Sequence, residues 1–170
     1  MKTKTKTMTL LLALIGFVAF AQHDHAAHDQ ASTQTAATFK DSKIGTAYNQ
    51  YIQLKDALVA SNSDNASKAA TQLQKSLKDA NGSAAILDAI AKLAQAKDLK
   101  EQREIFSTIS NEMATMVKGG KLSSGSLYLE YCPMANNNTG AYWLSNEKLI
   151  KNPYFGDMML KCGSVKETIQ

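Results

Sequence analysis

The chemistry this chain could do is concentrated in sulfur atoms near its C-terminal end. Cys132 stands in the run Tyr131-Cys132-Pro133-Met134, and Cys162 in the run Met158-Met159-Leu160-Lys161-Cys162-Gly163. Thiolates beside thioethers are the ligand set preferred by soft monovalent copper or silver, so Cys132, Met134, Met159 and Cys162, with Met158 as the lesser thioether, are candidate metal ligands. The opposing chemistry is oxidation. An exported chain with two cysteines commonly joins them, and a Cys132–Cys162 disulfide would close a loop of about 31 residues, contributing roughly 3 to 4 kcal/mol on the chain-entropy model. Spacing alone favours the disulfide and leaves the metal site open.

Export is an expectation from the first residues. Lys2, Lys4 and Lys6 precede an apolar run from Met8 to Phe20, and Ala19-Phe20-Ala21 is a small-x-small cleavage signal, which together read as a signal peptide over 1–21 cut after Ala21. The apolar run has 13 residues, short of the roughly 20 that span a bilayer, and no second such run follows. No membrane anchor is therefore expected, and the mature chain should be periplasmic or secreted. Cleavage would also remove three lysines from a formal charge of +4, leaving 16 basic against 15 acidic residues. A near-neutral chain without a basic, aromatic-laced stripe is a poor nucleic-acid or anionic-membrane ligand.

Residues 22–38 are rich in Ala, Gln, Ser, Thr, His and Asp and hold no aliphatic side chain larger than Ala. Such a segment cannot bury enough apolar surface to order itself, so a disordered tail is expected. It contains all three histidines, His23, His25 and His28. Neutral imidazoles flanked by carboxylates can hold divalent copper or zinc, giving an accessory capture tail; the plain alternative is a solvated, histidine-containing linker.

These groups must be positioned by the rest of the chain. Ile44, Tyr48, Tyr51, Lys55 and Leu58 recur at helical spacing, predicting a first helix from about Asp41 to Ala60. Ser61 to Asn65 is dense in capping residues, and Ala66, Ala70, Leu73, Leu77 and Ala80 then line a second helix ending at Asn81-Gly82. Ser83 caps a third with Ile86, Ile90 and Leu93. Asp98 to Glu101 has capping-box spacing for a fourth, lined by Phe106, Ile109, Met113 and Val117 and ended by Gly119-Gly120. Met113 and Met116 read as core filler on that stripe, not as further soft ligands. Short polar connections predict an all-α fold: an antiparallel four-helix bundle over 39–122, with a cassette of loop and short strand over 123–170 packed on it to complete one domain. Within the cassette, Ser126 to Tyr131 alternates as an extended segment would, and the remainder reads as aromatic-rich ordered loop with Trp143 as its anchor.

Tyr131-Cys132-Pro133-Met134-Ala135, Gly140-Ala141-Tyr142-Trp143-Leu144-Ser145, Asn152-Pro153-Tyr154-Phe155-Gly156 and Met159-Leu160-Lys161-Cys162-Gly163 recur in that order in an uncharacterised exported helical family, which the chain resembles from about Asp41 to Gln170. Members of that family also form the C-terminal domain of periplasmic adaptor (membrane fusion) subunits of copper and silver efflux systems. The Tyr-Cys-Pro-Met opening is similar to that of short heavy-metal-binding domains of copper transport proteins. The resemblance implies periplasmic handling of monovalent copper or silver, and it places the second thioether at Met159, immediately before Leu160. This chain lacks the hairpin and lipoyl-like segments of an adaptor, so the expectation is a free-standing carrier or buffer, with efflux components as partners. The alternative is a disulfide-stapled interaction module that holds no metal. Catalysis is not expected, because the chain has no His-Glu-x-x-His, Gly-x-Ser-x-Gly, phosphate-loop, dinucleotide or Cys-x-x-Cys motif.

Overall fold

The computed structural model describes residues 36–170. Four helices come first: α1 (Ser42–Val59), α2 (Ser63–Asp79), α3 (Ala84–Gln95) and α4 (Leu99–Gly120). Each begins where a side chain can take up an orphan backbone N–H. Asp41 accepts from Lys43, Asn62 from Asn65, Ser83 from Ile86 and Asp98 from Glu101. Glu101 answers by accepting from the Lys97 N–H at 3.0 Å, one residue outside the reciprocal position of a capping box. Consecutive helices pack side by side and α4 returns to α1, which is the geometry short connections impose. The core runs through Tyr51, Leu54, Leu73, Ile90, Phe106 and Met113, all without solvent exposure.

The all-α expectation is wrong. Strand makes up 16% of the described residues against 56% helix, and the strands pair into two antiparallel sheets. Strand β1 (Thr38–Phe39) forms a two-stranded ribbon with β2 (Leu122–Ser124), while β3 (Leu127–Cys132) lies between β4 (Ala141–Ser145) and β5 (Ser164–Ile169). The extended segment expected at Ser126 to Tyr131 is β3; the strands not expected from the sequence are its partners β4 and β5 and the β1–β2 ribbon. Four consecutive residues of β3, Leu127 to Glu130, are buried, as in a strand covered on both faces. Strand β5 exposes Lys166, Glu167 and Thr168 and reads as a solvated tail, because charge is how edge strands avoid further pairing. Thr38, at the end of the expected tail, is paired with Ser124.

The three-stranded sheet is tied to the helices by tyrosine hydroxyls. Tyr51 Oη accepts from the Leu144 N–H at 3.0 Å and lies 2.8 Å from Ser110 Oγ, joining α1, α4 and β4 at one buried point. Tyr48 Oη donates to Asn146 Oδ1 at 2.8 Å just beyond β4. Trp143, in β4, is fully buried with its ring edge toward Tyr154, the anchoring role expected from the sequence.

Glu130 faces Trp143 across the β3–β4 ladder. It is fully buried, and among the described residues neither its carboxylate oxygens nor the Trp143 indole N–H makes a hydrogen bond of good geometry, though the indole N–H lies near enough to favour the carboxylate. Burial pushes the carboxyl up to about 8, against the opposing pull of Lys55 and Trp143. An unfolded glutamate titrates near ~4.3, so the folded protein keeps a proton that the unfolded chain releases. The stabilisation from neutral Glu130 is complete below the unfolded value and is lost as pH rises through the folded one. Between pH 5 and 8 the loss should approach about 1.4 kcal/mol per pH unit. Glu130→Gln, neutral at every pH, should flatten that slope in denaturant unfolding at pH 5, 7 and 9; parallel slopes in the two proteins would remove Glu130 as the source.

Candidate metal centre

Cys132 ends β3, and Cys162 lies in the loop that enters β5. The antiparallel register sets Tyr131 opposite Ser164, so the pairing that closes β3 onto β5 also draws the two cysteines together. Both are free thiols, Cys132 buried and Cys162 half-buried. They are close enough for Cys132 to serve as hydrogen-bond partner to the Cys162 thiol, and that contact, with burial and the Cys132 charge adding to it, pushes Cys162 up to about 11. At neutral pH Cys162 is thus a protonated thiol, and its thiolate, the nucleophile and metal ligand, forms only by losing that proton.

Asn152 and Arg103 hold the loop that carries Cys162. Asn152 is fully buried. Its Nδ2 donates to the Cys162 carbonyl at 2.8 Å, its Oδ1 accepts from the Tyr154 N–H at 2.8 Å, and its own N–H donates to the Leu160 carbonyl at 2.9 Å. The Asn-Pro turn is thereby clamped to the Met-Leu-Lys-Cys loop. Arg103, on α4, fixes the turn to the helices: Nε donates to the Pro153 carbonyl, and Nη2 to the Leu58 carbonyl and Ser61 Oγ, each at 2.9 Å. The guanidinium suits this role because its planar fork serves several oxygens at once, here including the Leu58 carbonyl in the last turn of α1. Gly163 completes the fit at φ +143°; a Cβ there would lie 2.8 Å from Trp143 Cη2 and 3.1 Å from the Tyr131 carbonyl.

The methionines are placed differently. Met134, Met158 and Met159 line one groove of about 550 Å³ together with Tyr154 and Phe155, and neither cysteine lines it. Met134 is 48% and Met158 76% exposed. Met134 precedes the short turn α5 (Ala135–Asn138), while Met158 ends a 3-10 turn (Gly156–Met158) and Met159 follows it. The five candidate sulfurs therefore divide into a dithiol at the sheet and a thioether group in a groove. Met113 is fully buried and Met116 packs against the core, as their helical stripe implied. Among the described residues no three His, Cys, Asp or Glu side chains converge as a metal site. The candidates His23, His25 and His28, and the expected signal peptide, lie outside the described residues.

Sequence reasoning passed over the residues that position the sulfurs. Arg103 is the chain's only arginine among 19 basic residues, a signal that was there to use. Asn152 stood only within the aromatic-rich loop and its Asn-Pro motif, with no signal that both ends of its amide serve the backbone.

No helix among the described residues is long and apolar enough to cross a membrane. Residues 47–125, just under half of the chain, match the family described as "Protein of unknown function (DUF3347)". That stretch runs from the first turns of α1 to just past β2 and stops short of the cassette. No curated protein and no solved structure matches the chain. The chain is thus similar, through its helices, to an uncharacterised family.

Proposed function

We propose that this protein is an exported carrier or buffer of soft monovalent copper or silver. The observation that carries the reading is the adjacency of two free thiols, Cys132 and Cys162, one of them part-exposed. Paired thiolates select soft monovalent ions, and a site with one part-exposed thiol on a loop can pass its cargo to a partner. Met134, Met158 and Met159 lie in the same cassette and add thioether ligands that need no deprotonation. His23, His25 and His28 would meet the divalent ion, copper or zinc, ahead of the cassette. Periplasmic efflux components are the partners implied by the family resemblance. The reading is one of capture and relay, without a catalytic step.

The same adjacency suits the rival reading, a Cys132–Cys162 staple in an interaction module. Free-thiol counting on protein purified without reductant separates the two. Reactive thiols that cuprous ion protects are the expected result; thiols that stay unreactive without metal, including after unfolding, would establish the staple.

Metal binding at the dithiol must displace the Cys162 proton. Apparent affinity for cuprous ion should therefore rise at least about tenfold per pH unit from pH 6 to 8, and Cys132→Ser with Cys162→Ser should remove that pH-dependent component. Competition titration against a chromophoric chelator reads both, and an unchanged affinity in the double variant would defeat the dithiol site. Asn152→Ala strips partners from the part-buried Cys162 carbonyl and the buried Tyr154 N–H, which should destabilise the fold by about 2 to 4 kcal/mol. It should also weaken cuprous binding through its hold on the Cys162 loop, an effect that a stability-matched substitution in α2, far in sequence from the cassette, should not reproduce.

A further inference from the structure

We propose that Met134, Met158 and Met159 form a second soft-cation site, built of thioethers alone, separate from the dithiol and indifferent to its oxidation. The proposal rests on the soft-metal reading of the cassette but not on the cysteines. Three methionines from two chain segments line one groove, and two of them are among the few large apolar side chains exposed on the described surface. Methionine in a core has a packing reason, as Met113 has; Met134 and Met158, exposed on the groove, have no core role. What the arrangement does present is a set of polarizable sulfur lone pairs at an accessible surface. A thioether carries no proton and no charge, so it remains a ligand at any pH and when the thiols are oxidised.

The surroundings select the charge of the guest. Lys100 and Arg103 also line the groove, with Glu104 the acidic residue on that wall. Neutral ligands beside two cations and one anion give no compensation for a dication, and hard or borderline ions would find no group of imidazoles or carboxylates there. A soft monovalent ion carries half that charge into the lining and draws its binding from the sulfur lone pairs. The geometry is fixed on both sides. Asn136, Asn137 and Asn138 adopt successive left-handed conformations, with φ +50°, +56° and +63°, and line the groove beside Met134. Across from them, Gly156 takes φ +56° against Ser61 and Arg103, where a Cβ would lie 2.5 Å from Ser61 Oγ and 2.8 Å from Arg103 Nη2. That approach seats the turn carrying Met158 and Met159. Left-handed backbone in non-glycine residues is costly and persists where surrounding contacts enforce it.

The test follows silver ion into the full-length chain by the methyl resonances of methionine labelled with carbon-13 at its methyl group. In protein with Cys132→Ser and Cys162→Ser, and separately in wild type with the two cysteines oxidised to a disulfide, one equivalent of silver should shift the Met134, Met158 and Met159 methyl signals together and leave Met113 and Met116 in place. The affinity behind those shifts should be constant from pH 6 to 8, in contrast to the dithiol. Met134→Leu, Met158→Leu and Met159→Leu combined keep the groove apolar, and should lower this silver affinity at least tenfold with the fold intact by circular dichroism. Absence of methyl shifts in both cysteine-blocked proteins overturns the proposal. Shifts that appear only when the thiols are reduced also overturn it, since they would mean one mixed site. An unchanged affinity in the leucine variant does the same, because it leaves an apolar docking groove as the role of this surface. Failure of the dithiol reading is seen elsewhere, in cysteine protection, and leaves the methionine signals free to respond.

Discussion

The buried hydroxyl of Tyr51 is the point on which both halves of the molecule hang. It contacts Ser110 on α4 while accepting the Leu144 N–H of β4, and its ring stacks on Phe106 at a centroid distance of 5.5 Å. Burial lifts its ionisation far above the ordinary phenol range, so it remains a neutral hydroxyl with both a proton and lone pairs to share. An N–H of β4 that turns away from its ladder toward the helices needs an acceptor in that apolar setting, and leaving it bare would cost about 1 to 3 kcal/mol. Once β4 is fixed, β3 follows through their register, β5 follows β3, and the spacing of the two cysteines is set.

Fixing the sheet does not fix the loop that bears Cys162, and the structure uses a different device there. Arg103 and Asn152 both serve backbone oxygens: the first links the Asn-Pro turn to the end of α1, the second links that turn to the Cys162 carbonyl. Backbone oxygens are in the same place whatever side chains the loop carries, so the loop's path is decoupled from its sulfurs. Those sulfurs are then free to be selected by chemistry rather than packing. This accounts for exposed methionines on a well-held loop, a combination that hydrophobic burial alone would disfavour.

How much of this was legible follows from which forces are local. The four helices were readable because capping and helical periodicity are encoded within a few residues, and Asn62, Ser83 and Asp98 cap as their positions suggest. The sheet was mostly not. Strand β3 was visible as an extended segment at Ser126 to Tyr131, but its partners β4 and β5, distant in sequence, were not. The juxtaposition of Cys132 with Cys162 was only a surmise from residue type, and it became geometry through the β3–β5 register, which no local pattern carries. The grouping of Met158 with Met134, and apart from the thiols, was equally out of reach.

Glu130 gives a measure of what this arrangement costs. A buried carboxyl without a well-formed hydrogen bond costs more than an apolar side chain in the same place. Its neutral form spares the sheet an unpaired charge, yet Lys55 stands near enough to pull it toward ionisation. Lys55 is itself almost wholly buried and already paired with Asp56 at 2.7 Å, so the pull is partial. Cys132 lies two residues along the same strand and therefore on the same face as Glu130. An anion generated at the dithiol would thus form beside a carboxyl that burial holds protonated and not beside a second negative charge, and the electrostatic cost of making a thiolate there is correspondingly smaller.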